Sequence, residues 1–173
     1  MIGGYGGSPI LNGCTISVDR GEIAVVVGPN GAGKSTAMKA IAGMLNLTSG
    51  NVVLAGKSIT TLPTQMRVKA GMALVPQNDN IFPTMTVREN LDMGALLSQD
   101  TAAQTMKEVF DLFPILAEKR NQIAGQLSGG QRQQLAMGRA LMTRPTALML
   151  DEPTAGVSPN VMDEMFEKIR GVA

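Results

Sequence analysis

The sequence predicts an α/β fold, with buried strands on both sides of a mostly helical middle section, and three observations carry that prediction. Ile23-Ala-Val-Val-Val27 is a continuous apolar run rich in β-branched residues, the pattern of a strand covered on both faces in a mostly parallel sheet. A glycine-rich segment, Gly28 to Gly33, links that run to a helical stretch beginning at Lys34. Helix-capping signals crowd the interval from Phe82 to Thr143, while both flanks read as strand. At 173 residues the chain can bury a substantial single core.

Taken in order, Cys14 to Val18 alternates in polarity and is predicted to be a half-exposed strand, followed by a turn at Asp19-Arg-Gly21 and the buried strand Ile23 to Val27. A helix is expected from Lys34 to about Met44. A strand follows at Val52 to Ala55, with a turn at Gly56-Lys57, and another strand covers Met72 to Val75. Thr86-Val-Arg-Glu89, Thr101-Ala-Ala-Gln104 and Ser128-Gly-Gly-Gln131 all fit the capping box, in which a side-chain oxygen and a residue three positions on satisfy each other's backbone N–H. They are expected to open helices reaching about Leu97, Phe113 and Thr143. The second would turn Met106, Val109, Phe110 and Phe113 inward and stop at Pro114. Thr146 to Leu150 is a strand, and Ser158-Pro159 caps a last helix with Val161, Met162, Met165, Phe166 and Ile169 on its buried side. Met1 to Tyr5 looks too short for a full strand.

Composition narrows the chemistry. A formal charge of +1 gives no electrostatic footprint for nucleic acid. The apolar runs are far too short to span a bilayer, and no leader is evident, so a cytoplasmic protein is expected. Cys14 is the only cysteine and is expected to be a small buried residue in a reducing compartment. The thirteen methionines are expected mainly as core filling. There is no histidine, so any general base must be another residue.

Gly28-Pro29-Asn30-Gly31-Ala32-Gly33-Lys34-Ser35 fits G-x-x-x-x-G-K-[ST] and sits between a predicted strand and a helix. Its glycines let backbone N–H groups converge on phosphate, Lys34 reaches the outer phosphates, and the Ser35 hydroxyl suits Mg²⁺; Thr36 completes the candidate cradle. Ala147 to Leu150 leads into Asp151 and Glu152. Asp151 is placed to hold Mg²⁺, and Glu152 to orient and deprotonate a water. Ser128, Gly129, Gly130 and Gln131 form a second helix start. Two glycines there cost about 1 kcal/mol each relative to alanine, which suggests that a charged group approaches the backbone as a lid over the γ-phosphate, from this chain or a second copy.

Lys34-Ser35, Leu127-Ser-Gly-Gly-Gln131 and Asp151-Glu152, in that order and with twenty residues from Gln131 to Asp151, resemble the nucleotide-binding subunit of ABC transporters over essentially the whole chain. The resemblance implies a P-loop NTPase fold of ABC ATPase type, with a mostly parallel core sheet, a small antiparallel β part and a helical subdomain. It implies one domain over residues 1–173, with a core lobe at about 1–76 and 144–173 and a helical subdomain at about 77–143. It implies ATP and Mg²⁺, a head-to-tail dimer with a second ATPase subunit, transmembrane permease subunits, and indirectly a periplasmic solute-binding protein. The chain would sit peripherally on the inner face of the cell membrane. Gln77 matches the glutamine that contacts Mg²⁺ and the attacking water, Tyr5 the aromatic residue that stacks on adenine, and Gly156-Val-Ser-Pro159 a loop at the dimer seam. Val75 to Leu91 and Leu135 to Pro145 resemble subunits that energise branched-chain amino-acid uptake; urea importers and lipopolysaccharide exporters have similar subunits. The family's switch histidine and most of its opening strand lie outside this sequence, so the chain reads as truncated at both ends, with weakened binding and hydrolysis expected. Two other readings stand beside the transporter: a soluble ABC-type ATPase acting on ribosomes or DNA, and a non-catalytic nucleotide-binding fragment.

Overall fold

A computed structural model describes residues 1–5, 8–78 and 80–153. They fall into two compact units, one over Met1–Met72 and one from Ala73 onward.

In the first unit, β1 (Ile2–Tyr5) pairs antiparallel with β2 (Ser8–Asn12) on one side and β3 (Leu47–Ser49) on the other. This three-stranded sheet stands where the sequence suggested only a short stub. Two glycines in β1 weakened the local signal, and Gly3 packs so closely that a Cβ would lie 3.1 Å from the Asn46 carbonyl. Helix α1 (Lys34–Ile41) buries Ala37 and Ala40 against Leu11, with Leu45 and Leu47 beside them. β4 (Val53–Leu54) and β5 (Lys57–Ser58) form a hairpin. Its two-residue loop, Ala55-Gly56, has positive φ at both positions, the twist that a tight hairpin requires. A short helix, α2 (Thr64–Lys69), was not anticipated.

Two expected strands are absent here. Neither Cys14 to Val18 nor Ile23 to Val27 is a strand, and Val25 and Val27 are 76% and 84% exposed rather than buried. Apolar β-branched residues favour extended backbone, but a strand exists only when another chain segment supplies its ladder. The turn at Asp19 to Gly21 does form, closed by the Glu22 N–H donating to the Asp19 carbonyl at 3.1 Å. Cys14 is half-buried, not buried. The methionines divide: Met72, Met137 and Met142 are buried, while Met44, Met66 and Met93 are exposed.

In the second unit, β6 (Met72–Val75) pairs with β7 (Ala147–Leu150). The Asp151 N–H donates to the Val75 carbonyl at 3.0 Å, so the strands end side by side and run in the same direction. Between them lie α3 (Val87–Gly94), α4 (Ala102–Leu112), α5 (Pro114–Glu118) and α6 (Gly129–Leu141). Their apolar stripes meet in a core that includes Val87, Leu91, Val109, Phe113, Leu116, Leu135, Met137 and Met142. Truncating Leu91 or Leu135 to alanine would cost about 2–5 kcal/mol.

The capping boxes at Thr86 and Ser128 are both formed. The one at Thr101 is not. Its hydroxyl donates to the Ser98 carbonyl at 3.3 Å, and Gln104 donates to Glu108 at 2.9 Å. A 3-10 turn, Gln99–Thr101, runs straight into α4 and leaves Thr101 at ψ 1°, away from the extended backbone a cap needs. Pro114 does more than stop α4: it occupies the first position of α5. The helix expected from Ser158 to Ile169 lies outside the described residues.

Candidate active site

In the first unit, the segment before α1 is exposed from Gly28 through Ala32 and includes Pro29 and Asn30. Gly31 and Gly33 have φ of +82° and +88°, backbone that a side chain would strain. Because Gly33 is the N-cap, no side chain caps α1, and no acidic residue stands in its first turn. The first N–H groups of a helix have no intrahelical acceptor and carry the positive end of the dipole, so this tip offers donors to an anion. The Lys34 ammonium donates to the carbonyls of Gly28 at 2.8 Å and Pro29 at 3.0 Å, lying along the loop it serves. Ser35 and Thr36 follow in the first turn, both half-buried. A shallow cavity of about 180 Å³ adjoins this tip, lined in part by Ile10, Leu11, Val26, Gly33 and Lys34. Tyr5 closes β1 opposite Ser8.

In the second unit, the parallel strands deliver their ends together. Asp151 is 7% exposed at the end of β7. Glu152, next in the chain, is exposed and has φ +47°, a left-handed conformation uncommon outside glycine and asparagine. Such strain amounts to about 1–3 kcal/mol and clusters at functional sites. The Glu152 carboxylate accepts a hydrogen bond from the Gln77 amide at 2.5 Å, across 75 residues of sequence. The two side chains singled out for handling water are therefore direct partners.

At the start of α6, the Ser128 hydroxyl accepts from the Gln131 N–H at 3.3 Å, and the Gln131 side-chain oxygen accepts from the Ser128 N–H at 3.1 Å. The hydroxyl keeps its own proton available to donate. Ser128 and Gly129 are exposed and Gly130 is half-buried. Residues 156–159 lie outside the described residues.

Four residues that sequence reasoning passed over hold the segment after Gln77. The Asn80 amide donates to Gln133 at 3.2 Å and to the Pro76 carbonyl at 3.3 Å. Arg139 donates to the Asn80 carbonyl at 3.1 Å, and its guanidinium lies 4.5 Å above the Phe82 ring. Burial pulls the Arg139 pKa below its ordinary value. Asn90 is fully buried and bonds both the N–H and the carbonyl of Phe82, at 2.7 and 2.9 Å. One signal was available: Gln133 lies one turn before Met137, a polar residue in the apolar stripe of α6.

These features are those expected of a nucleotide-binding α/β ATPase, and comparison with known proteins shows that class. A profile described as ABC transporter matches residues 11–155. The chain is 39% identical over 166 residues to the high-affinity branched-chain amino acid transport ATP-binding protein BraG of Pseudomonas aeruginosa, covering 95% of this chain and 71% of that protein. It is 42% identical over 167 residues to the probable branched-chain amino acid transport ATP-binding protein LivF of Archaeoglobus fulgidus, covering 96% and 71%. A Nod factor export ATP-binding protein I of Burkholderia orbicola is 36% identical, with 97% and 55% covered. The crystal structure of the ADP conformation of MJ1267, an ATP-binding cassette of an ABC transporter, superposes with a TM-score of 0.87 at 30% identity, covering 99% of this chain and 73% of that one. The chain belongs to the ABC transporter family and is an ATP-binding, ATP-hydrolysing subunit.

Proposed function

We propose that this subunit powers import of branched-chain amino acids or a similar small polar solute, working as a head-to-tail dimer docked on transmembrane permease subunits. The observation that carries the catalytic part is the Gln77–Glu152 hydrogen bond beside Asp151, at the common end of two parallel strands. The solute follows the names of the two branched-chain amino-acid relatives. Export is the second reading, favoured by the Nod factor relative. No helix among the described residues is long and apolar enough to cross a membrane, so membrane attachment at the inner face would come through the permeases. A solute-binding protein is the expected further partner of an importer, and nucleic acid is not. The proposed division is a core lobe at about 1–76 and 144–173 and a helical subdomain at about 77–143.

In this mechanism the residues from Gly28 to Thr36 hold the phosphates through backbone N–H groups, and Lys34 leaves its own loop carbonyls for the outer phosphate oxygens. Tyr5 would stack on the base. Ser35 of the first unit and Gln77 and Asp151 of the second would offer a cation only oxygen ligands, a donor set that suits a hard ion such as Mg²⁺. When bound, that ion would neutralise charge on the phosphates. Gln77 orients the water, and Glu152 accepts its proton as the oxygen attacks phosphorus and ADP leaves. Ser128 to Gln131 of a second copy would face the γ-phosphate with the serine proton and glycine N–H groups.

Glu152→Gln is expected to lower ATP turnover by about 10²–10⁴-fold while ATP affinity stays within about twofold. Steady-state phosphate release and equilibrium titration check this. Undiminished turnover in that variant would remove Glu152 from the reaction.

A further inference from the structure

Arg67 lies on α2, away from every motif discussed above, and is only 4% exposed. Its Nε donates to the Leu62 carbonyl at 2.9 Å, and one terminal nitrogen donates to the carbonyls of Ala40 at 3.0 Å and Ile41 at 2.6 Å. The other terminal nitrogen donates to the Thr60 carbonyl. The ion pairs found among the described residues, Arg88–Asp92 and Arg144–Glu108, do not involve it. A buried guanidinium satisfied by four backbone carbonyls is unusual, because burying a charge is expensive unless its donors are matched. That desolvation pulls the Arg67 pKa down, yet guanidinium remains protonated at any ordinary pH.

The carbonyls it meets are informative. Ala40 and Ile41 form the last turn of α1, at the negative end of the dipole, and the Ala40 carbonyl also accepts from the Gly43 N–H at 3.1 Å. Gly43, just beyond, has φ +79°, and a Cβ there would lie 2.7 Å from Arg67 Nε, so the backbone is fitted to the side chain. The Thr64 hydroxyl adds a bond to the Gly43 carbonyl at 3.0 Å. Helix α1 has eight residues and is therefore about 12 Å long. Its far end carries Gly33 and Lys34. A rod that short transmits a displacement at one end directly to the other.

We propose that Arg67 is a positioning residue for nucleotide binding: by fixing the C-terminal turn of α1 it sets where the helix tip and Lys34 meet the phosphates. The inference rests on the phosphate-binding role assigned to that tip. A merely structural brace would change how much protein is folded. A positioning residue changes the affinity of the folded protein.

The test is a titration of ATP with Mg²⁺ against wild type, Arg67→Gln and Arg67→Lys, recording Kd and stoichiometry well below each melting midpoint. Arg67→Gln should raise Kd by about tenfold with stoichiometry unchanged, and Arg67→Lys, which keeps the charge but not the fork, by about threefold. Arg67→Lys alone decides the matter if the glutamine variant does not fold. Wild-type Kd in the lysine variant, or a loss confined to stoichiometry, overturns the proposal. Wild-type protein that fails to bind ATP removes the phosphate-site reading and this inference with it.

Discussion

Helix α1 starts at a glycine with φ +88° and no side-chain cap, whereas α6 starts at Ser128 with a complete reciprocal capping box. Both tips carry a glycine next to a polar side chain, and both present the positive end of a helix dipole. The difference lies in how the orphan N–H groups are treated. At α1 the N-cap is a glycine, which has no side chain to accept from them, so an anion is a natural partner. At α6 one first-turn N–H already has the Ser128 oxygen, and Gln131 returns the bond. The α6 tip is stable on its own and keeps only part of its capacity for a ligand. In a dimer, then, α1 would hold the nucleotide and α6 would add contacts without having to be built by them.

That comparison can be broken at either end. The largest effect belongs to Lys34→Ala, expected to weaken ATP binding by about 10–100-fold, since one charge-assisted phosphate contact is worth about 1.5–3 kcal/mol. Isothermal titration of the single chain reads it directly, and near-normal affinity would show that the loop does not hold phosphate. Next comes Ser128→Ala. Removing this cap should cost about 1 kcal/mol and lower the melting midpoint by about 2–4 °C, with ATP affinity of the monomer unaltered. A large affinity loss in the monomer would mean that both tips serve one chain's own nucleotide.

The smallest effect sharpens the meaning of a capping box. At α3 the Glu89 carboxylate accepts from the Thr86 N–H at 2.7 Å and from its hydroxyl at 2.8 Å. Those bonds, the backbone one first, hold its pKa below the usual carboxylate value. A carboxyl lowered on folding stabilises above its unfolded pKa and loses that contribution as pH falls through the folded one. The stability gap between wild type and Glu89→Gln should be present at neutral pH and close as the pH drops below about 4. A gap that stays constant in thermal melts across that range would detach the box from the charge.

Several elements were legible because their signals are local. The helix start at Lys34, the boxes at Thr86 and Ser128, and the strand running from Met72 to Val75 each depend on residues within a few positions of one another, and each formed as read. The box at Thr101 failed for an equally local reason, the 3-10 turn entering α4, which the four-residue pattern does not encode. The strands expected at Cys14 to Val18 and Ile23 to Val27 failed for a different one. Their composition favours extended chain, yet beyond Cys14, which exchanges hydrogen bonds with Met1, no segment among the described residues forms a ladder with them. Conversely, β1 and β2 carry glycine and proline and read poorly, but they pair with each other and so exist.

By itself, then, the sequence determined the chemistry available: a loop fitted to phosphate, two carboxylates after an apolar strand, a serine-capped glycine helix, and no histidine. Those are matters of residue type and short spacing, and backbone stereochemistry enforces them locally. Only the tertiary structure decided that Gln77 bonds Glu152, that Arg67 grips the far end of α1, and that Arg139 pins Asn80 and Phe82. The partners in those contacts are separated by 26 to 75 residues in sequence. What brings them together is the burial of helix and strand faces, a force without direction that short motifs cannot express.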